Sequence, residues 1–142
     1  VISFELITLN GIKYSGDAYE VRLPTPDGEI GVFTNHAPLV SVASTGVITV
    51  KKQSGDPEPK WIYFASNGGV IEIVENRVRV LVDEADRDDE ITEQDAQKAY
   101  ERAQALKGQA KDQIALDKAQ ALLDRQAVRL KVAEIRRRHR RG

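Results

Sequence analysis

Arg125 and Arg129 stand four residues apart and would share one face of a helix. The run Arg136-Arg137-Arg138-His139-Arg140-Arg141 carries the same charge toward the end of the chain. Guanidinium groups repeated in this way bind oxyanions, whether carboxylates, phosphates or an acidic protein surface. Bond-making chemistry has fewer candidates. The chain has no Cys, which excludes thiolate metal sites and cysteine nucleophiles, and its two His, His36 and His139, are far apart. Ser41, Ser44 and Ser66 have no His–Asp arrangement that spacing defines, and no two carboxylates show the spacing of a paired acid site. The expectation is a protein that is not an enzyme and holds no metal. A basic tail can also bind nucleic acid or an anionic membrane through phosphate contacts. The rest of the chain is acidic and no aromatics interleave with the tail, so no nucleic-acid partner is expected.

The charge is unevenly placed. The 142 residues carry 21 Lys and Arg against 22 Asp and Glu, a formal net charge of −1. Residues 1–85 hold seven basic and eleven acidic side chains, whereas residues 86–142 hold fourteen and eleven. From Arg125 onward there are eight basic residues and one acid, Glu134, and the stretch Asp83 to Asp95 holds eight acids and one Arg. A hydrophobic content of 41% with 30% charged residues reads as globular. No apolar run reaches the ~20 residues of a membrane helix, and no signal-peptide pattern opens the chain.

Two kinds of element must position these groups. All five Pro and eight of ten Gly precede residue 86, punctuating short runs of Val, Ile, Tyr and Phe. Ile2, Phe4 and Leu6 alternate with polar neighbours, as do Tyr19, Val21 and Leu23, which predicts half-buried strands. Further strands are predicted at 31–33, 47–52 and 61–65, and a hairpin pairs 70–74 with 78–82 through Glu75-Asn76-Arg77. Residues 54–59, with two prolines, read as an exposed loop. Gly28, Gly31 and Gly68-Gly69 fit no phosphate-loop spacing and read as turn glycines of positive φ. After Ala85 the period changes. Thr92 reads as an N-cap, Ala96, Ala99, Tyr100 and Ala103 as one helix face, and Gly108 as the break before a second helix from about Gln109 to about Arg138. Leu116, Ala119, Leu123, Leu130 and Ala133 form a narrow seam interrupted by Gln126. Seams so rich in Ala bury little area, so the helices should dock weakly. The predicted fold is α+β: an antiparallel β-sandwich or barrel over residues 1–85, followed by an α-helical hairpin over 86–142.

Four stretches in this frame resemble the epsilon subunit of F-type ATP synthases. Residues Gly28-Glu29-Ile30-Gly31-Val32-Phe33-Thr34-Asn35-His36-Ala37-Pro38-Leu39 are similar to that family's G-E-x-G-x-x-P-x-H-x-P-L. Ser66-Asn67-Gly68-Gly69-Val70-Ile71-Glu72 resembles S-G-G-x-x-E, with Asn67 inserted or substituted. Val80 to Arg87 resembles V-L-A-x-x-A-E-R, and Arg129-Leu130-Lys131-Val132-Ala133-Glu134 resembles R-L-x-V-A-E. The resemblance spans nearly the whole chain in the family's order.

It implies a central-stalk rotor subunit whose sandwich binds the gamma subunit and the c-ring, coupling proton flow to ATP synthesis. Its helices would either fold on the sandwich or rise along gamma into the alpha/beta catalytic ring, opposing ATP hydrolysis. The implied location is peripheral, on the cytoplasmic face of an energy-transducing membrane, with the bacterial plasma membrane expected. Glu29 and His36 match family positions that face the c-ring. Arg125, Arg129, Arg136 and Arg137 would make the inhibitory contact with the catalytic beta subunit.

Some members bind ATP through I-D-x-x-R-A and several arginines. Asp86, Arg102, Arg125 and Arg129 match that set, but the motif's Asp is Thr92 here and its Arg is Asp95. A carboxylate where a guanidinium is needed repels phosphate, so ATP binding is expected to be absent or weak and no cofactor is expected. The rival reading from the residues alone is a non-enzymatic β-sandwich adaptor with a coiled-coil oligomerisation hairpin.

Overall fold

The computed structural model describes residues 1–141, the side chain of Arg141 excepted. Alternating apolar residues build two five-stranded sheets that face each other. The first sheet has the order β2-β1-β9-β8-β5, formed by β1 (Ile2–Thr8), β2 (Gly11–Ala18), β5 (Leu39–Ala43), β8 (Gly69–Val74) and β9 (Arg77–Val82). The second has the order β10-β7-β6-β3-β4, formed by β3 (Glu20–Thr25), β4 (Gly28–Val32), β6 (Gly46–Lys51), β7 (Ile62–Ser66) and β10 (Ala85–Arg87). All pairings are antiparallel except β1 with β9. Phe4, Leu6, Ile71, Ile73, Val78 and Val80 of the first sheet meet Val21, Leu23, Ile48, Val50 and Phe64 of the second in one buried core. Such facing of two inner surfaces is the packing of a β-sandwich.

Several local expectations change. The turn between β8 and β9 is two residues, not three: Glu75 (φ 47°) and Asn76 (φ 63°) are both left-handed, and Arg77 already pairs with Val74. Two positive φ values in succession match the right-handed twist of the flanking strands. Strand β4 begins at Gly28, and Phe33 lies beyond its end, partly exposed. Tyr19 sits in the bend before β3, so only Val21 and Leu23 face the core. Gly68-Gly69 supply no positive φ. A Cβ on Gly69 would lie 1.9 Å from the Leu81 carbonyl oxygen, so the glycine permits close backbone approach at the β8–β9 pairing.

The helices are α1 (Glu93–Gln109) and α2 (Gln113–Arg141). Gly108 lies inside α1, and the chain breaks instead at 110–112. Asp112 sets that boundary: its Oδ1 accepts the Ala115 N–H at 2.7 Å, a side-chain cap that a helix start at Gln109 would lack. Thr92 holds the N-cap position of α1 with no side-chain cap bond. Ala103 and Ala119 are buried in the hairpin, and Gln126, 6% exposed, belongs to its seam instead of interrupting it. The hairpin folds onto the second sheet. Ala96, Val132 and Ala133 pack with Ile91, Tyr63 and Ala65, flanked by Val47, Trp61, Val128, Leu130 and Ile135.

Candidate functional site

The acidic stretch and the basic helix meet. Glu84 precedes β10, Asp86 lies in it, Asp88 opens a short 3-10 turn and Glu93 begins α1. Across from them, α2 presents its arginines at helical spacing. Arg125 pairs with Glu84 and stands 3.8 Å from Asp86 Oδ2, while Arg129 Nε lies 3.0 Å from the same oxygen. Two turns further, Arg136 Nη1 donates to the Asp88 carbonyl at 3.0 Å, and Arg137 Nη1 donates to Glu93 Oε1 at 2.9 Å. Arg129 also donates from Nη1 to Gln126 Oε1 at 2.9 Å, which fixes its rotamer from within α2. All four arginines assigned by resemblance to an inhibitory contact are therefore tied to the chain's own root. The helix ends with His139 beside Tyr63, ring centroids 5.6 Å apart, and its Nε2 3.9 Å from Glu58.

Burial shapes the titration here. It pushes the Asp88 carboxyl up, partly offset by the Asp89 N–H and by Arg136 and Arg87. Glu90 is held below its ordinary value by Lys13 and by the Arg87 N–H that its Oε1 accepts at 2.9 Å. The Lys13–Glu90 pair fastens β2 to the turn that feeds α1. Burial, with Glu58 adding, pushes the Tyr63 hydroxyl up to about 12, so it stays neutral beneath the helix.

Of the residues matched to an ATP site, Asp86, Arg125 and Arg129 come together, but as partners of one another. Arg102 is exposed on α1 and makes no ion pair among the described residues. Asp95 and Thr92 are exposed at the start of α1.

Glu29 and His36 lie at opposite ends of β4. Glu29 is exposed opposite Pro24 on this edge strand. His36 is half-buried four residues past the strand, its Nδ1 2.6 Å from the Ala37 carbonyl oxygen and its N–H donating to Phe33 O at 3.3 Å. Asn35 (φ 66°) donates its N–H to Asn76 Oδ1 at 2.6 Å, which anchors the His36 loop to the β8–β9 turn. The Asn35–Asn76 link has no sequence signature beyond two Asn at turn positions, both left-handed here.

A second surface has no local signature in the sequence. On the outer face of the first sheet, Val42, Val70, Leu81, Ile7 and Ile12 align in register across all five strands. Val42 and Ile12 are 60% and 63% exposed, and a parallel row carries Val40, Glu72, Arg79 and Glu5, with Arg79 Nε 3.6 Å from Glu5 Oε1. An exposed apolar row of this length with a charged border is the kind of surface that a protein partner covers.

These features define a class: a ten-stranded sandwich with one bare apolar face, and a helical hairpin clasped by ion pairs to the other. The ATP synthase delta/epsilon chain β-sandwich domain family matches residues 1–88. The chain is 33% identical over 135 residues to the chloroplastic ATP synthase epsilon chain of Adiantum capillus-veneris, covering 95% of this chain and 98% of that one. It belongs to the ATP synthase delta/epsilon family. The same fold occurs in a chain of the Euglena gracilis mitochondrial ATP synthase, with TM-score 0.78 at 22% identity over 94% of this chain and 81% of that one. A chain of the Tetrahymena thermophila mitochondrial ATP synthase central stalk and c-ring gives TM-score 0.58 at 11% identity, covering 92% and 94%.

Proposed function

We propose that the chain serves as the epsilon-type rotor subunit in the central stalk of an F-type ATP synthase, coupling rotation to ATP synthesis and opposing ATP hydrolysis through its helices. It is an accessory, non-catalytic subunit. Its partners are the gamma subunit, the c-ring and, when the helices rise, the alpha/beta catalytic ring. The observation that carries this reading is similarity to an epsilon chain across 95% of the sequence, on a sandwich-plus-hairpin fold.

The two sheets divide the work. The outer apolar row of the first sheet suits a permanent contact with gamma, because the helices lie on the second sheet and can move without disturbing it. Glu29 and His36 serve as c-ring contacts. Arg125, Arg129, Arg136 and Arg137 serve as the cations that meet an acidic segment of the catalytic beta subunit once freed. ATP binding through Asp86, Arg102, Arg125 and Arg129 is absent or weak. The subunit is peripheral, and no described helix is long and apolar enough to cross a membrane; its site is the cytoplasmic face of a bacterial plasma membrane. The test is ATP hydrolysis by the assembled complex with the full chain and with a chain ending at Glu90, which retains β10. Hydrolysis should rise several-fold on truncation while gamma capture persists. Unchanged hydrolysis refutes inhibition, and loss of capture by the full chain refutes the rotor assignment.

A further inference from the structure

The groups that hold the hairpin down are the groups it would use elsewhere. Arg125, Arg129, Arg136 and Arg137 flank the buried Val132 and Ala133 along α2, and each is engaged by Glu84, Asp86, the Asp88 carbonyl or Glu93. Apolar contact beneath them is slight for a 29-residue helix: among its fully buried residues, only Val132 exceeds the size of Ala apart from Gln126. Arg129 and Asp86 are only 21% and 28% exposed at the side chain, so this pair is better shielded from solvent than an ordinary surface ion pair.

We propose that Glu84 and Asp86 are built-in counter-anions: they fill the Arg125–Arg129 fork, hold the hairpin folded without any bound ligand, and are exchanged for an external acidic protein surface when it opens. The proposal rests on the rotor reading for the identity of that surface, but not for the clasp. With Arg125 and Arg129 already facing carboxylates of their own chain, a phosphate would have to displace Glu84 and Asp86, so closure needs no nucleotide. Exchange of one carboxylate partner for another keeps the number of charge-assisted bonds constant, so the two uses of α2 exclude each other while differing little in local chemistry. Screening weakens the closed form, since the Debye length falls from ~10 Å at 0.1 M salt to ~3 Å at 1 M.

The test uses the isolated full-length chain and its only tryptophan, Trp61, which packs against the hairpin cluster. The variant E84Q/D86N should show a red-shifted Trp61 emission and a larger scattering radius at ~0.1 M NaCl, and E84Q and D86N singly should each show part of that change. Wild type should show several-fold faster amide exchange in 125–139 on going from ~0.05 to ~1 M NaCl, with β6 and β7 unchanged. A neutralised variant as compact as wild type at every salt concentration overturns the proposal. So does wild-type exchange that ignores salt, a measurement that stands even where the variant fails to fold. Failure of the rotor reading would appear instead as no capture by gamma, with all of these readouts intact.

Discussion

Arg129 of α2 sets its Nε 3.0 Å from Asp86 Oδ2 of β10, joining the last strand of the sandwich to the middle of the last helix. The two residues are 43 positions apart in sequence, and through them the acidic stretch Asp83 to Asp95 meets the basic helix.

Arg129→Ala removes that link and leaves Asp86 facing only Arg125, at 3.8 Å. Exchange of α2 amides in 125–139 should accelerate by roughly tenfold, equivalent to ~1.4 kcal/mol, while the core strands keep their protection. Hydrogen exchange followed by mass spectrometry reads both regions in one experiment.

Glu90 gives the root a pH dependence with a definite sign. Its folded-state value lies below the ordinary one because Lys13 and the Arg87 N–H stabilise the carboxylate. Its contribution is therefore complete above the ordinary Glu range, about pH 4.3, and fades as pH falls through the lowered folded value. Asp88, raised by burial, has the opposite sign and favours the folded form on protonation. Urea unfolding of wild type and Glu90→Gln should differ near pH 7 and converge toward pH 3. A gap that widens with acid contradicts the Lys13–Glu90 assignment.

Gly69→Ala places a Cβ 1.9 Å from the Leu81 carbonyl oxygen, a backbone atom that cannot rotate away. The β8–β9 pairing must spread, and stability should fall by about 3 kcal/mol. Gly108→Ala adds a methyl in open space within a helix and should stabilise by roughly 0.5–1 kcal/mol. Denaturant midpoints of the pair give the comparison.

Val70→Asp and Leu81→Asp place charge in the outer apolar row, where neither side chain supports the core. The fold should survive and gamma capture should weaken at least tenfold. Glu29→Ala and His36→Ala should leave gamma capture intact and weaken retention on the c-ring. If either row variant binds gamma like wild type, the contact lies on another face.

The strands that sequence made plain are those whose inward residues are large: Ile2, Phe4 and Leu6 in β1, and Ile71 and Ile73 in β8. Strands β2, β5 and β10 are illegible in the sequence because their fully buried positions are Ala18, Ala43 and Ala85, too small to produce a period-2 signal. The end of α1 is hidden in the sequence for a related reason. Gly108 is a conspicuous punctuator, whereas the Asp112 cap depends on a hydrogen bond that residue type alone does not specify. For the site, residue types located the cations of α2, and opposite charges in one chain hinted at pairing. Which carboxylate meets which arginine follows from the packing of α2 on β6 and β7 beside β10, a tertiary fact with no local signature. The outer apolar row was hidden for the same cause: its five residues come from five strands and adjoin only in register.

The clasp between Glu84, Asp86 and the α2 arginines also governs how the molecule looks to a charged surface. Closed, its α2 arginines are compensated locally by carboxylates of the same chain, within a net charge of −1. Opened, it becomes a large electric dipole of unchanged total charge, with an anionic body and a cationic lever. The two forms should part on a cation-exchange resin at constant pH, and a rotating field of charged neighbours would exert torque on one and scarcely on the other.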